Sequence, residues 1–140
     1  MRVYRRKTLL SDTADFAAFA KLYAESVVDR SVDPFLLVRD DDSRLLIATD
    51  DGSVMLCLAN GPNDCSVSYA SSYSDCFRQF VGLTGHHNAK DESFVDARFA
   101  IKAIHAFFDR ARMSEYVDFR CGAPDSGSSD FLGGGIENAF

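Results

Sequence analysis

The chain has 140 residues and a mass of 15.4 kDa, which is one domain's worth of length. Hydrophobic residues make up 46 % and charged residues 26 %, so a packed core is expected and a mainly disordered chain is excluded. The net charge is −6, and between Asp40 and Asp75 seven acidic residues stand against one basic residue, Arg44, an excess equal to the net charge of the whole chain. An acidic middle has the wrong sign for gripping phosphate backbones but suits a basic protein partner. No apolar run reaches the roughly 20 residues a membrane helix needs. Asp12 and Asp15 interrupt what would be the apolar part of an export signal after the basic start. An intracellular, cytoplasmic protein is therefore expected.

In chain order, residues 2–9 read as a short first strand or a loose arm. Ser11 or Asp12 then caps a helix over Asp12–Asp29, with Phe16, Phe19, Ala20, Tyr23 and Val27 at helical spacing and Asp15 placing negative charge near the positive helix end. Pro34 closes that region. Phe35–Arg39 and Arg44–Thr49 are apolar strand runs, joined by the turn residues Asp40, Asp41, Asp42 and Ser43. Asp51-Gly52 is a second turn, Ser53–Ala59 a third strand, and Asn60–Asp64 a loop. Cys65–Ala70 alternates, with Cys65, Val67 and Tyr69 on one face and Ser66 and Ser68 on the other, as a half-buried antiparallel strand does. Asp75–Val81 reads as a fifth strand and Gly82–Glu92 as a polar loop.

The clearest element is a helix over Ala97–Met113. Arg98, Lys102, His105, Asp109 and Arg112 form one polar stripe, opposite Ala97, Ala100, Ile101, Ile104, Phe107, Phe108 and Ala111. Asp96 suits its start, and Arg110 and Arg112 suit its negative end. Glu115–Arg120 reads as a last strand, and residues 121–140, rich in Gly, Ser and Asp, as a flexible tail after a single domain over residues 1–120. The expected fold is α+β: an antiparallel sheet of about five or six strands with two helices on one face, in the order α-β-β-β-β-β-α-β.

No phosphate-binding glycine loop or nucleophile elbow is present in the sequence. Cys57, Cys65, Cys76 and Cys121 have no zinc-binding spacing. Without an export signal they read as free thiols, Cys57 and Cys65 as buried hydrophobes. His86-His87 with Asp91 and Glu92 form a possible metal cluster, but a solvated loop accounts for them. Cys76 with His86 or His87 would be the thiol–imidazole pair of a small hydrolase, but a buried structural cysteine is the expected reading. No cofactor, metal, nucleic-acid or membrane contact is expected.

The stretch Ser93–Phe108, ending in Tyr116-Val117-Asp118-Phe119, resembles the C-terminal signature of a bacterial immunity protein family, the first-numbered Imm family of polymorphic-toxin systems. That signature is an Ala- and Phe-rich helix followed by a brief loop and a strand ending in an aromatic. The chain departs from it at Asp96, where Pro is frequent, at Arg112-Met113-Ser114, where Gly and Pro are frequent, and at Phe119, where Trp is common. The resemblance implies a non-enzymatic protein that binds and neutralises a cognate toxin, often a nuclease or deaminase domain with a basic cleft. The matching positions are structural and transfer no catalytic residue. Asp40, Asp41, Asp42, Asp50, Asp51, Asp64 and Asp75 would then form the toxin-binding surface, with Tyr69 and Tyr73 as aromatic anchors. A structural adaptor domain without a toxin is the remaining alternative.

Overall fold

The structure is a computed structural model that describes residues 1–27, 33–61, 64–70, 77–82 and 85–121. Of the expected tail (121–140), Cys121 instead ends the last strand, and residues 122–140, with Tyr73, Asp75 and Cys76, lie outside the described residues. The class is α+β, as expected, but the sheet is larger and more strands precede the first helix. Strands β1 (Arg2–Arg5) and β2 (Thr8–Ser11) form a hairpin before α1 (Phe16–Ser26). Strands β3 (Phe35–Val38), β4 (Arg44–Asp50), β5 (Ser53–Gly61) and β6 (Asp64–Tyr69) follow. Strands β7 (Phe77–Gly82) and β8 (Gly85–Lys90) pair with each other in a separate two-stranded sheet. A short 3₁₀ turn (Asp91–Ser93), β9 (Val95–Asp96), α2 (Ala97–Phe108), a second 3₁₀ turn (Met113–Glu115) and β10 (Asp118–Cys121) complete the order.

The main sheet runs β10-β6-β5-β4-β3-β1-β2, every paired neighbour antiparallel, with β9 added beside the start of β5. Both faces of this sheet are covered. Leu37, Leu45, Ile47, Val54 and Leu56 point to the helices and pack with Phe19, Tyr23, Ala100, Ile104 and Phe107. Leu36, Leu46, Ala48, Met55 and Cys57 point the other way and pack with Phe80 and Ala89 of the β7–β8 hairpin and with Phe94. That double covering explains why β3 and the Leu45–Ala48 part of β4 are unbroken apolar runs, since a strand buried on both faces has no polar side to alternate with.

Several sequence expectations are corrected, among them the last strand, which runs Asp118–Cys121 after a 3₁₀ turn at Met113–Glu115 instead of starting at Glu115. The polar stretch Gly82–Glu92 is not a loop but contains β8, whose outward His86 and Asn88 are exposed while Ala89 is buried. The first helix is shorter than Asp12–Asp29: Ser11 belongs to β2, and Asp15 is the N-cap, its Oδ1 accepting from Ala18 N at 2.8 Å. The second helix stops at Phe108 instead of reaching Met113, because Arg110 adopts a left-handed φ of 57°. Arg110 N donates to Phe107 O and Ala111 N to Ala106 O, the paired bonds that close a helix around a left-handed residue.

Ser68 shows how β9 enters the sheet. It is fully buried, contrary to the solvent-facing role its alternation implies. Its Oγ accepts from Leu56 N at 2.9 Å and donates to Ser93 O at 2.6 Å, so the hydroxyl replaces a ladder bond where β6 leaves β5.

Candidate functional site

The aspartates of the acidic middle do not share one face. Antiparallel β4 separates the turn after β3 from the turn after β4, and its seven residues span roughly 20 Å. Asp40, Asp41 and Asp42 lie at one end of the sheet, together with the backbone of Asp64 in the β5–β6 connection. Asp50, Asp51 and Tyr69 lie at the other.

The Asp50 end is tied into the scaffold. Asp51 and Gly52 take φ of 49° and 82°, the pair of positive values that a tight antiparallel hairpin turn requires. Gly52 N donates to Val27 O at 2.6 Å, and Ala97 N donates to Gly52 O at 3.1 Å, so this turn holds the end of α1 and the start of α2. Tyr23 Oη donates to Ala97 O at 2.7 Å, and burial pushes its phenol pKa up. The Asp50 side chain is only 22 % exposed and faces Arg78 at 3.5 Å, which also holds Asp91 at 3.2 Å. Tyr69 is half-buried under the Arg120 guanidinium, 4.0 Å above its ring, and is therefore scaffold rather than a free anchor.

The Asp40 end is open. The Asp40 and Asp42 side chains are 86 % and 79 % exposed. Arg39 is the hinge of this end. Its Nε and Nη2 donate to Asp41 at 3.3 Å, its Nη1 donates to Phe107 O at 3.2 Å, and its guanidinium lies 4.5 Å over the Phe107 ring. Arg110, projected by its left-handed backbone, reaches Asp40 at 3.3 Å and Asp41 at 3.5 Å. Arg2 lies 3.7 Å from Asp42, a pair that solvent screens. Two open depressions flank Arg39 and Arg110. One, of about 340 Å³, is bounded by Phe16, Asp40 and Phe108. The other, of about 330 Å³, is bounded by Leu58, Phe107 and Phe119. His105 and Asp109 stand close by, 3.2 Å apart, with His105 stacked on Phe16. The turn aspartates were visible in the sequence; Arg39 and Arg110, which organise them, carry no sequence signal beyond their charge.

Among the described residues, no group of three His, Cys, Asp or Glu side chains is placed to hold a metal ion. Burial pushes the Cys57 thiol pKa up, which fits the packing role expected of it. The Cys76 pairing lies outside the described residues. Among the described residues, no helix is long and apolar enough to cross a membrane.

The Ser43 backbone N–H donates to Asp41 at 3.0 Å and, with the Ser43 hydroxyl and Arg39, holds the Asp41 pKa at about 2. The Arg98 side chain and its backbone N–H likewise hold Asp96, the N-cap of α2, at about 2. Both folded values lie below the unfolded value of roughly 4, so their stabilisation is complete above about pH 4 and is lost as pH falls through about 2. Carboxyl NMR titration should give both groups midpoints near 2, and Asp96→Asn should flatten part of the acid-limb loss of stability. Midpoints near 4 would show that neither carboxylate is held as described.

No protein-family model matches the chain, and no curated protein matches it at a significant level.

Proposed function

We propose that the chain is an immunity protein, a non-enzymatic binder that neutralises a cognate bacterial toxin by occluding its active site. The observation that carries this reading is the Asp40–Asp42 turn. Its exposed Asp40 and Asp42 carboxylates stand beside a depression lined by Asp15, Asp40 and Asp109 together with Arg39 and Arg110 and floored by the half-buried Phe16 and Phe108, and exposed carboxylates around half-buried aromatics suit a basic cleft. The likeness of residues 93–119 to the immunity family supports the same reading. So does the position of that stretch, since the C-terminal end of α2 and β10 build walls of the depressions flanking Arg39 and Arg110.

Asp50 is assigned to the scaffold because its side chain is only 22 % exposed and faces Arg78, and Asp51 because the backbone of its turn holds both helices. The proposed contact is therefore narrower than the full acidic middle: Asp40, Asp41 and Asp42, with Asp64 at the same end. The proposed site of action is the cytoplasm, where the toxin would be met.

The test is affinity isolation of the tagged chain from its native host. The expected result is one stoichiometric, basic protein whose toxicity the chain suppresses when the two are co-expressed. Isolation of the chain with no stoichiometric partner, under conditions where a neighbouring gene product is made, would count against the reading.

A further inference from the structure

Among the described residues, strand β2 is the terminal strand of the main sheet and pairs only with β1, so its outer edge carries backbone groups with no ladder partner there. The pairing slips between Val3 and Tyr4: Tyr4 faces Leu9 and Val3 faces Ser11, which leaves Leu10 as an extra residue. Such a bulge interrupts strict alternation, and Leu9 and Leu10 are both exposed, at 49 % and 46 %. Two adjacent solvent-facing leucines on an open edge are a liability unless something covers them.

The sequence of this edge is complementary to its own reverse. Lys7-Thr8-Leu9-Leu10-Ser11-Asp12, read against a second copy running the other way, sets Lys7 opposite Asp12, Thr8 opposite Ser11 and Leu9 opposite Leu10, each twice. Lys7 and Asp12 are exposed, and neither is ion-paired among the described residues. An antiparallel pairing places the basic turn Arg5–Lys7 of one copy beside Asp12 of the other. A parallel pairing would set Lys7 against Lys7, and like charges directly opposite are unfavourable. At the other edge of the sheet, β10, the only basic residue of the strand, Arg120, is already paired within its own chain with Glu92 at 2.9 Å.

We infer that the chain forms a two-fold symmetric dimer by antiparallel pairing of β2 with β2 of a second copy, centred between Leu9 and Leu10. The pairing joins two eight-stranded sheets into one and covers both leucine pairs. It is independent of the toxin reading, because β2 lies at the far side of the sheet from β10 and uses none of Asp40, Asp41 or Asp42. A four-residue strand makes a small contact, so the association is weak and concentration-dependent.

The test is sedimentation equilibrium of the full chain from about 1 μM to about 1 mM. The mass is expected to rise from 15.4 kDa toward twice that value. Lys7→Asp alone sets Asp against Asp12, and Asp12→Lys alone sets Lys against Lys7, so each is expected to weaken association at least tenfold. The double variant Lys7→Asp/Asp12→Lys, and an equimolar mixture of the two single variants, should both restore it. Because both positions are exposed, the variants keep the fold, and circular dichroism checks that. A monomer at every concentration overturns the inference. So does a dimer indifferent to the single swaps, or one that neither the double variant nor the mixture restores.

Discussion

Phe19→Ala is expected to cost about 4 kcal/mol of unfolding free energy, the middle of the range for a buried aromatic truncated to alanine. Phe19 is fully buried where α1, the sheet and α2 meet. Its ring stands edge-on to Phe35 at 5.1 Å and tilted against Phe108 at 5.8 Å and Tyr23 at 6.2 Å. Three aromatic contacts are lost together, and the void is walled by a sheet that cannot collapse into it without breaking ladder bonds. Against a total stability of about 5–15 kcal/mol, this loss is a large fraction. Urea unfolding should show a much lower midpoint with little change in slope. Leu22→Ala, on the exposed side of the same helix at 36 % exposure, controls for helix propensity and should cost well under about 1 kcal/mol. Equal effects of the two variants would mean that α1 is not seated as described.

The second large effect is expected at Glu92. Its side chain is 3 % exposed, with Oε1 accepting from Arg120 Nη1 at 2.9 Å and Oε2 buried without a hydrogen-bond partner among the described residues. Arg120→Ala removes the cation paired with this carboxylate and the guanidinium over Tyr69. Breaking a buried pair costs about 3–5 kcal/mol, and the lower figure applies here because the Arg120 side is 48 % exposed and water enters the vacated space. A loss of about 3 kcal/mol is therefore expected, with fraying of β10 seen as faster amide exchange at Phe119 and Cys121. Adding Glu92→Leu should recover part of the loss, since no buried charge then remains. A double variant less stable than Arg120→Ala alone would contradict this account.

Much of the architecture follows from local sequence. Strand β4 and the Asp51-Gly52 turn are legible because aspartate before glycine favours the paired positive φ values found there. Helix α2 is legible because its alanines and phenylalanines fall on one face and Asp96 caps it. What escapes is structure made by residues that carry no local marker. Arg6 and Arg110 adopt left-handed φ where glycine is usual, so neither the β1–β2 turn nor the end of α2 is announced. Strand β8, with the sequence GHHNAK, has no β-branched residue, and Ala89 is the one buried side chain among those described, so only its partner β7 makes it a strand.

The site is legible in a different way. The two acidic turns flank one strand, and antiparallel pairing alone dictates that turns at the two ends of a strand lie at opposite ends of a sheet. The charge count grouped what the strand assignment already separated. Which end is free depends on long-range contacts, Gly52 with Val27 and Ala97 and Asp50 with Arg78, that no sequence periodicity encodes.

The most direct measurement of the central claim is the association rate of the isolated partner with the chain at several salt concentrations. With Asp40, Asp41 and Asp42 all changed to Asn, association should slow by roughly tenfold or more at low salt and lose most of its salt dependence. With Asp50 and Asp51 changed to Asn, it should stay within about twofold of the original. Unchanged rates for the triple variant, or a larger effect from the Asp50–Asp51 end, would contradict docking through the Asp40–Asp42 turn.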